Sequence, residues 1–220
     1  MLERQGDVFV FRMDSGENRF LEESIAGWNA ALDAVEAAGS PAALVTTGSG
    51  RFYSNGLDLD YMLGSGAAHA SRYLARVLEI FARLLCFPAV TVAAINGHAF
   101  GAGGQVALAH DYRLMRSGRG FFCMPEIDLR APLHPGMTAL IQARLPQQTA
   151  HEMIATGRRY PAEEAVARGI AERALPEAEL VPAAVALAAG LAAKADPALQ
   201  RLKRGMYAGV LEALQRPLEA

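Results

Sequence analysis

The β-branched apolar run Thr91–Ile95 stops at Asn96-Gly97, crosses the small-residue turn Gly101-Ala-Gly-Gly104 and re-emerges as an apolar stretch ending at His110-Asp111. A strand that enters a helix through so little side chain constrains the fold more than any other part of this sequence. Glycine permits the positive φ of a tight turn and a close approach between backbones, and the first N–H groups of a helix have no partner inside it. Those N–H groups and the positive end of the helix dipole suit a partly negative ligand atom. Taken alone, such a turn also closes many ordinary strand-to-helix junctions.

Around this junction the chain alternates strands and helices. Val8–Met13 reads as a strand, as do 43–47, 111–115 and 120–124. Leu21, Ile25, Trp28, Leu32 and Val35 recur at spacings of three and four, which predicts a helix over 21–38 that ends at Gly39-Ser-Pro41. Tyr73, Val77, Ile80, Phe81 and Leu84 predict another over 69–87, and 138–144 reads as a shorter one. Beyond Pro161 the chain is rich in Ala and Glu with breaks at Gly169, Pro176, Pro182 and Pro197. That composition places a boundary near residue 160 and predicts an all-helical remainder.

The apolar Ala42–Thr47 leads into a second strand-turn-helix junction, Gly50-Arg-Phe-Tyr-Ser-Asn-Gly-Leu-Asp-Leu-Asp60, and a third segment is Gly118-Arg-Gly-Phe-Phe-Cys-Met-Pro-Glu-Ile-Asp-Leu129. In this order the three resemble motifs of the crotonase superfamily, the enoyl-CoA hydratases and isomerases, which read roughly F-x-x-G-x-D, N-G-x-A-x-G-G-G and F-x-x-P-E. Pro161-Ala-Glu-Glu-Ala-Val-Ala-Arg-Gly-Ile170 is similar to a fourth, A-x-E-A-x-x-x-G-[LI]. The resemblance implies an α/β crotonase-type spiral of repeated ββα units with a short carboxy-terminal helical region. Residues 1–160 would form the core with an acyl-CoA site, and 161–220 a helical oligomerisation region.

Carried over residue by residue, the resemblance puts the two oxyanion-hole N–H groups on Leu57 and Ala102. Both are backbone donors, so their side chains are free to vary. Hydratases of the superfamily use two glutamates. Here the first position is Gln105, which cannot ionise but can orient a water or the substrate, and the second is Glu126. One carboxylate beside an oxyanion hole suits a 1,3-proton shift, whereas adding water across a double bond normally takes a second acid–base group. The resemblance therefore leans toward a Δ3,Δ2-enoyl-CoA isomerase with Glu126 as proton shuttle, its pKa raised by apolar neighbours drawn from Phe121, Phe122, Met124 and Leu129. A hydratase or another thioester-enolate reaction, or a non-catalytic acyl-CoA-binding member, are the alternatives.

Binding of the CoA ester falls, by the same resemblance, on Asn18, Arg19, Ser54, Asn55 and Gly56, with Lys203 as a basic candidate for a phosphate and His134 as a group able to reach the acyl pocket. Asp58 and Asp60 read as helix-start residues, His98 as a hydrogen-bonded turn histidine, His110 as a helix-end residue and Asp128 as packed outside the pocket. No Ser/His/Asp order, Walker sequence or dinucleotide fingerprint is present.

A formal charge of −2 offers no basic field for nucleic acid. Cys86 and Cys123 have no metal-ligand spacing around them and read as buried free thiols, which suits a cytoplasmic location and no metal. No cofactor is expected beyond the CoA carried by the substrate. The longest Ala-rich run, 182–193, is too short to span a bilayer, and Arg216-Pro-Leu-Glu-Ala220 is not a peroxisomal Ser-Lys-Leu address. The apolar helices after Pro161 carry more Ala, Val and Leu than a short region should bury on one core, which predicts a homotrimer or a dimer of trimers.

Overall fold

The computed structural model describes residues 1–217 of the 220. The carboxy-terminal tripeptide 218–220, and with it the reading of the ending as no peroxisomal address, lies outside the described residues.

The chain opens with β1 (Leu2–Gln5), β2 (Val8–Met13) and α1 (Glu22–Ala38). It continues through β3 (Ala43–Gly48), β4 (Phe52–Ser54), α2 (Leu59–Leu63) and α3 (Ala67–Leu85). The glycine-led segment forms β5 (Val90–Ile95), β6 (His98–Phe100) and α4 (Ala102–Ala109). Next come β7 (Tyr112–Arg116), β8 (Phe122–Cys123), a single 3₁₀ turn (Pro125–Ile127), α5 (Pro135–Arg144), α6 (Gln147–Thr156) and α7 (Ala162–Ala167). The chain closes with β9 (Arg173–Leu175), α8 (Glu177–Leu191), α9 (Pro197–Met206) and α10 (Ala208–Leu214).

Two sheets organise these elements. The larger runs in the order β1-β2-β3-β5-β7-β9, with β1 antiparallel and every other pair parallel. The smaller is the parallel sheet β4-β6-β8. Three successive turns, β3/β4, β5/β6 and β7/β8, each give one strand to each sheet, so the ends of β4, β6 and β8 come together although they are far apart in sequence.

The large sheet is covered on both faces, which explains why its central strands are almost wholly apolar. Alternate residues sort to opposite faces. Val8, Val10, Ala43, Val45, Val90, Val92 and Ala94 pack with Leu180, Ala184 and Ala188 of α8, whose small side chains repeat every fourth position. Phe9, Phe11, Leu44, Ala93 and Ile95 face the other way, into the main core with Trp28, Leu32 and Phe81.

The structure corrects the sequence reading beyond residue 161. That segment is not all helical: Arg173–Leu175 returns to the large sheet as β9, at register with Leu114–Arg116. Nor is its apolar surface left over, because α8 is absorbed by its own sheet. What remains outside is on α9, where Leu202 is 67% and Met206 70% exposed. Among the described residues no single helix is long and apolar enough to cross a membrane.

Candidate active site

Two glycine turns meet where β4 and β6 end. Gly56 has φ 83°, and a Cβ there would stand 2.7 Å from the Phe100 carbonyl oxygen and 3.0 Å from the Ala102 nitrogen. Gly103 is closer still to the opposite turn, since its Cβ would lie 2.2 Å from the Ser54 carbonyl oxygen. Only hydrogen at these two positions lets the start of α4 rest against the 54–57 segment. Ala102 is the first residue of α4, so its N–H lacks an acceptor within the helix.

The Leu57 N–H is aimed by its neighbours. Phe20 N–H donates to the Gly56 carbonyl oxygen at 2.9 Å, within a parallel bridge between Phe20 and Leu57. In a trans peptide the C=O and the following N–H point in opposite directions. The Leu57 N–H therefore points away from Phe20. The 15–20 loop is itself braced on this turn: the Ser54 hydroxyl donates to the Asn18 carbonyl oxygen (2.7 Å) and the Asn18 amide donates to that of Phe52 (3.0 Å). Asn18 and Ser54, expected at the CoA ester, are thus spent on the framework through their side chains. Arg19 and Asn55 both reach the Glu17 carboxylate, at 2.8 and 2.9 Å, and these contacts hold its pKa low, Asn55 contributing most. Glu17 had no signal in the sequence.

Glu126 comes from the third turn, in the 3₁₀ turn after β8. Its Oε1 lies 3.4 Å from the position a Cβ would take on Gly101, directly before Ala102. The side chain is half-buried, and its Oε2 is fully enclosed without a hydrogen-bond partner. Burial raises the carboxyl pKa above the usual glutamate value. Phe122 and Met124 are buried beside this turn, whereas Leu129 is 55% exposed and contributes nothing to its apolar surroundings.

Gln105 lies one helical turn beyond Gly101, and its N–H donates to the Gly101 carbonyl oxygen. It has no exposed surface, and neither its Oε1 nor its Nε2 has a partner. Buried polar atoms are paired in the great majority of cases. Glu126 Oε2 and both side-chain polar atoms of Gln105 are thus free to pair with an incoming polar group.

Two expected binding residues are elsewhere. Lys203 is 5% exposed, with its Nζ donating to Asp111 Oδ2 (2.7 Å) and to the Ala89 carbonyl oxygen (3.2 Å), so it ties α9 to the core and is turned away from any phosphate. His134 caps α5: its Nδ1 accepts from the Gly136 N–H, and its Nε2 is 2.9 Å from the Arg216 carbonyl oxygen. An acceptor Nδ1 leaves the proton on Nε2, and both ring nitrogens are occupied by structure. His98 also departs from expectation, because its Nδ1 is enclosed without a partner and its ring packs among Phe52, Phe100 and Phe121. Asp58 does cap a helix, accepting from the Tyr61 N–H. His110 ends α4, buried between the Val106 carbonyl oxygen and the Thr46 hydroxyl, and burial lowers its pKa to about 3. Cys86 and Cys123 are buried free thiols.

A two-sheet spiral whose successive turns bring together two backbone N–H groups, one in the turn before α2 and one at the start of α4, and a carboxylate of raised pKa has the architecture of the crotonase superfamily. Residues 3–220 match the enoyl-CoA hydratase/isomerase family, and the chain belongs to it. It is 36% identical over 186 residues to enoyl-CoA delta isomerase 2, peroxisomal, of Arabidopsis thaliana, covering 81% of this chain and 78% of that one. With enoyl-CoA delta isomerase 3 of the same plant it shares 36% over 179 residues, or 79% and 75% of the two chains. Human mitochondrial delta3-delta2-enoyl-CoA isomerase superposes with a TM-score of 0.85 over 97% of this chain and 85% of that one, and at 24% identity that likeness speaks for the fold.

Proposed function

We propose that the protein is an enoyl-CoA isomerase that moves a 3-enoyl-CoA double bond to the 2-position. The observation that carries this reading is that Glu126 brings a carboxylate to the meeting point of the turns, while a neutral amide, Gln105, stands at the superfamily's other carboxylate position. The similarity to two enoyl-CoA delta isomerases supports it. Glu126, its basicity increased by burial, removes a proton from C2 of the thioester. Charge then develops on the thioester oxygen, which accepts from the Leu57 and Ala102 N–H groups. A donor of this type is worth roughly 3–4 kcal/mol. The same carboxyl returns the proton to C4, leaving the double bond between C2 and C3. No group beyond the CoA of the substrate is needed, and Arg19, Asn55 and Gly56 line the approach to the thioester.

The test offers 3-enoyl-CoA and 2-enoyl-CoA in parallel, following double-bond position and water addition. Isomerisation much faster than hydration is expected, and Glu126→Gln should lower it about 10²- to 10⁴-fold while thioester binding persists. Rapid hydration by the unaltered protein refutes the one-carboxylate argument. For assembly the reading is a trimer or dimer of trimers, supported by the outward Leu202 and Met206. Light scattering that returns a monomer mass with and without acyl-CoA overturns it. The cytoplasmic location rests on the two free thiols, and cell fractionation decides between it and the peroxisome named for one plant relative.

A further inference from the structure

Tyr73 projects from the middle of α3 and is 2% exposed. Its hydroxyl donates to the Phe20 carbonyl oxygen at 2.5 Å and accepts from the Asp58 N–H at 3.1 Å. It thus sits between the two backbone groups that flank the Phe20–Leu57 bridge, the place where a further bond of a parallel ladder would run. The peptide before Leu57 is already held by Phe20 N–H through the Gly56 carbonyl. The peptide after Leu57 is held by Tyr73. Next to it, α2 has no buried residue; its start is held by the Asp58 carboxylate, which accepts from the Tyr61 N–H, and the Tyr61 ring leans on Tyr73 itself.

We propose that Tyr73 is a positioning residue for the oxyanion hole: its hydroxyl locks the peptide that follows Leu57 and so keeps the Leu57 N–H directed at the thioester oxygen. This inference rests on the reading of Leu57 as a hole donor. The hydroxyl is suited to the task because one O–H donor and one oxygen lone pair are both used, with neither left for the substrate. Burial raises its pKa to about 12, so the proton that makes the bond to Phe20 stays in place through the working range of any isomerase assay. The ring is held within the main core, with Tyr61 packed edge-on to it at 5.4 Å. Removing the oxygen alone therefore leaves the packing of α3 intact and frees the Leu57–Asp58 peptide to rotate.

The test uses Tyr73→Phe and a probe that does not depend on turnover, a 3-ketoacyl-CoA whose enolate has its own near-ultraviolet band. Binding to the hole favours the enolate, so the band reports directly on the two N–H donors. In the unaltered protein the bound probe should show enolate at a pH where the free thioester does not, and Tyr73→Phe should lose much of that band. Its kcat should fall about tenfold with KM changed less than about twofold, short of the roughly hundredfold loss that a full ångström of misplacement brings. Tyr73→Met, which also removes the hydroxyl while filling the space with a flexible chain, should give the same loss. Tyr53→Phe deletes another buried hydroxyl, one bonded to Thr46, and should leave the band unchanged. A band undiminished in Tyr73→Phe overturns the role of Tyr73 alone. Absence of the band in the unaltered protein removes the hole and this role with it.

Discussion

Gly103→Ala is the sharpest perturbation of the meeting between the two glycine turns. Its Cβ would stand 2.2 Å from the Ser54 carbonyl oxygen, 2.7 Å from the Ser54 carbonyl carbon and 2.8 Å from the Ser54 Cβ. Ordinary contact begins at 3.4 Å, so α4 and the end of β4 must separate by about 1 Å, and two of the three opposing atoms are backbone with no rotamer to yield. The backbone conformation at Gly103 is helical, so no φ strain adds to the effect. Overpacking of this kind costs about 1–3 kcal/mol of stability. At about 2–4 °C per kcal/mol for a chain of this size, Tm should fall by roughly 2–12 °C. The separation also draws the Leu57 turn from Ala102, and a misplacement of about 1 Å costs on the order of 10²-fold in rate. Turnover of 3-enoyl-CoA at a temperature where the variant remains folded separates the two effects. Gly190→Ala in α8 is the control: a Cβ there meets nothing within 4 Å, and the change should be neutral to stabilising by about 0.5–1 kcal/mol. If Gly103→Ala keeps unaltered Tm and kcat, the contact between the turns is not what sets the hole.

The raised pKa of Glu126 gives a pH signature. The base form is lost on acidification at a higher pH than for free glutamate, so the acid limb of the kcat profile should lie above the ordinary value of 4.5, and a limb at or below it contradicts the burial argument. A carboxyl whose folded pKa is raised costs stability when it ionises, so above that limb Glu126→Gln should unfold no earlier than the unaltered protein on thermal melting. Gln105→Glu places a second carboxyl one helical turn from Gly101 and should raise the hydration rate of 2-enoyl-CoA, and an unchanged rate removes Gln105 from contact with the water-addition site. Lys203→Met leaves the partly buried Asp111 carboxylate without its cation, though still accepting from Thr91, and should cost about 1–3 kcal/mol by denaturant titration, with affinity of the folded protein for CoA thioesters unchanged. Weakened CoA binding at full folding would restore Lys203 to the phosphate.

The turns were legible because they carry ordered motifs. Gly56 and Gly101 answer a local demand for positive φ, Gly103 answers the close approach of Ser54, and Glu126 was found because its Pro-Glu segment resembles the third family motif. Side-chain direction on the later helices is not local. Lys203 and His134 are an exposed base and a pocket histidine in any reading of sequence, and become an interior ion pair and a helix cap only when α9 and α5 dock. β9 escaped because three residues, Arg-Ala-Leu, are too few to display an alternation, and their pairing with β7 is supplied by the sheet. Tyr73 followed the apolar spacing of α3 and was indistinguishable from a core residue, since nothing in the spacing reveals that its hydroxyl meets one carbonyl oxygen, of Phe20, and one N–H, of Asp58, from loops distant in sequence.

The small sheet β4-β6-β8 divides the chemistry by kind as well as by place. On the proposed reading the ends of β4 and β6 supply main-chain donors, which persist through almost any change of side chain that the backbone tolerates. The end of β8 supplies a single side chain, and a one-residue exchange there alters how protons move. On the isomerase reading, polarising a thioester and choosing what happens to it are therefore inherited separately: drift at the backbone donors is filtered by geometry alone, while single side chains beside them, Glu126 after β8 and Gln105 in α4, can change the reaction without rebuilding the scaffold that makes the carbon acidic.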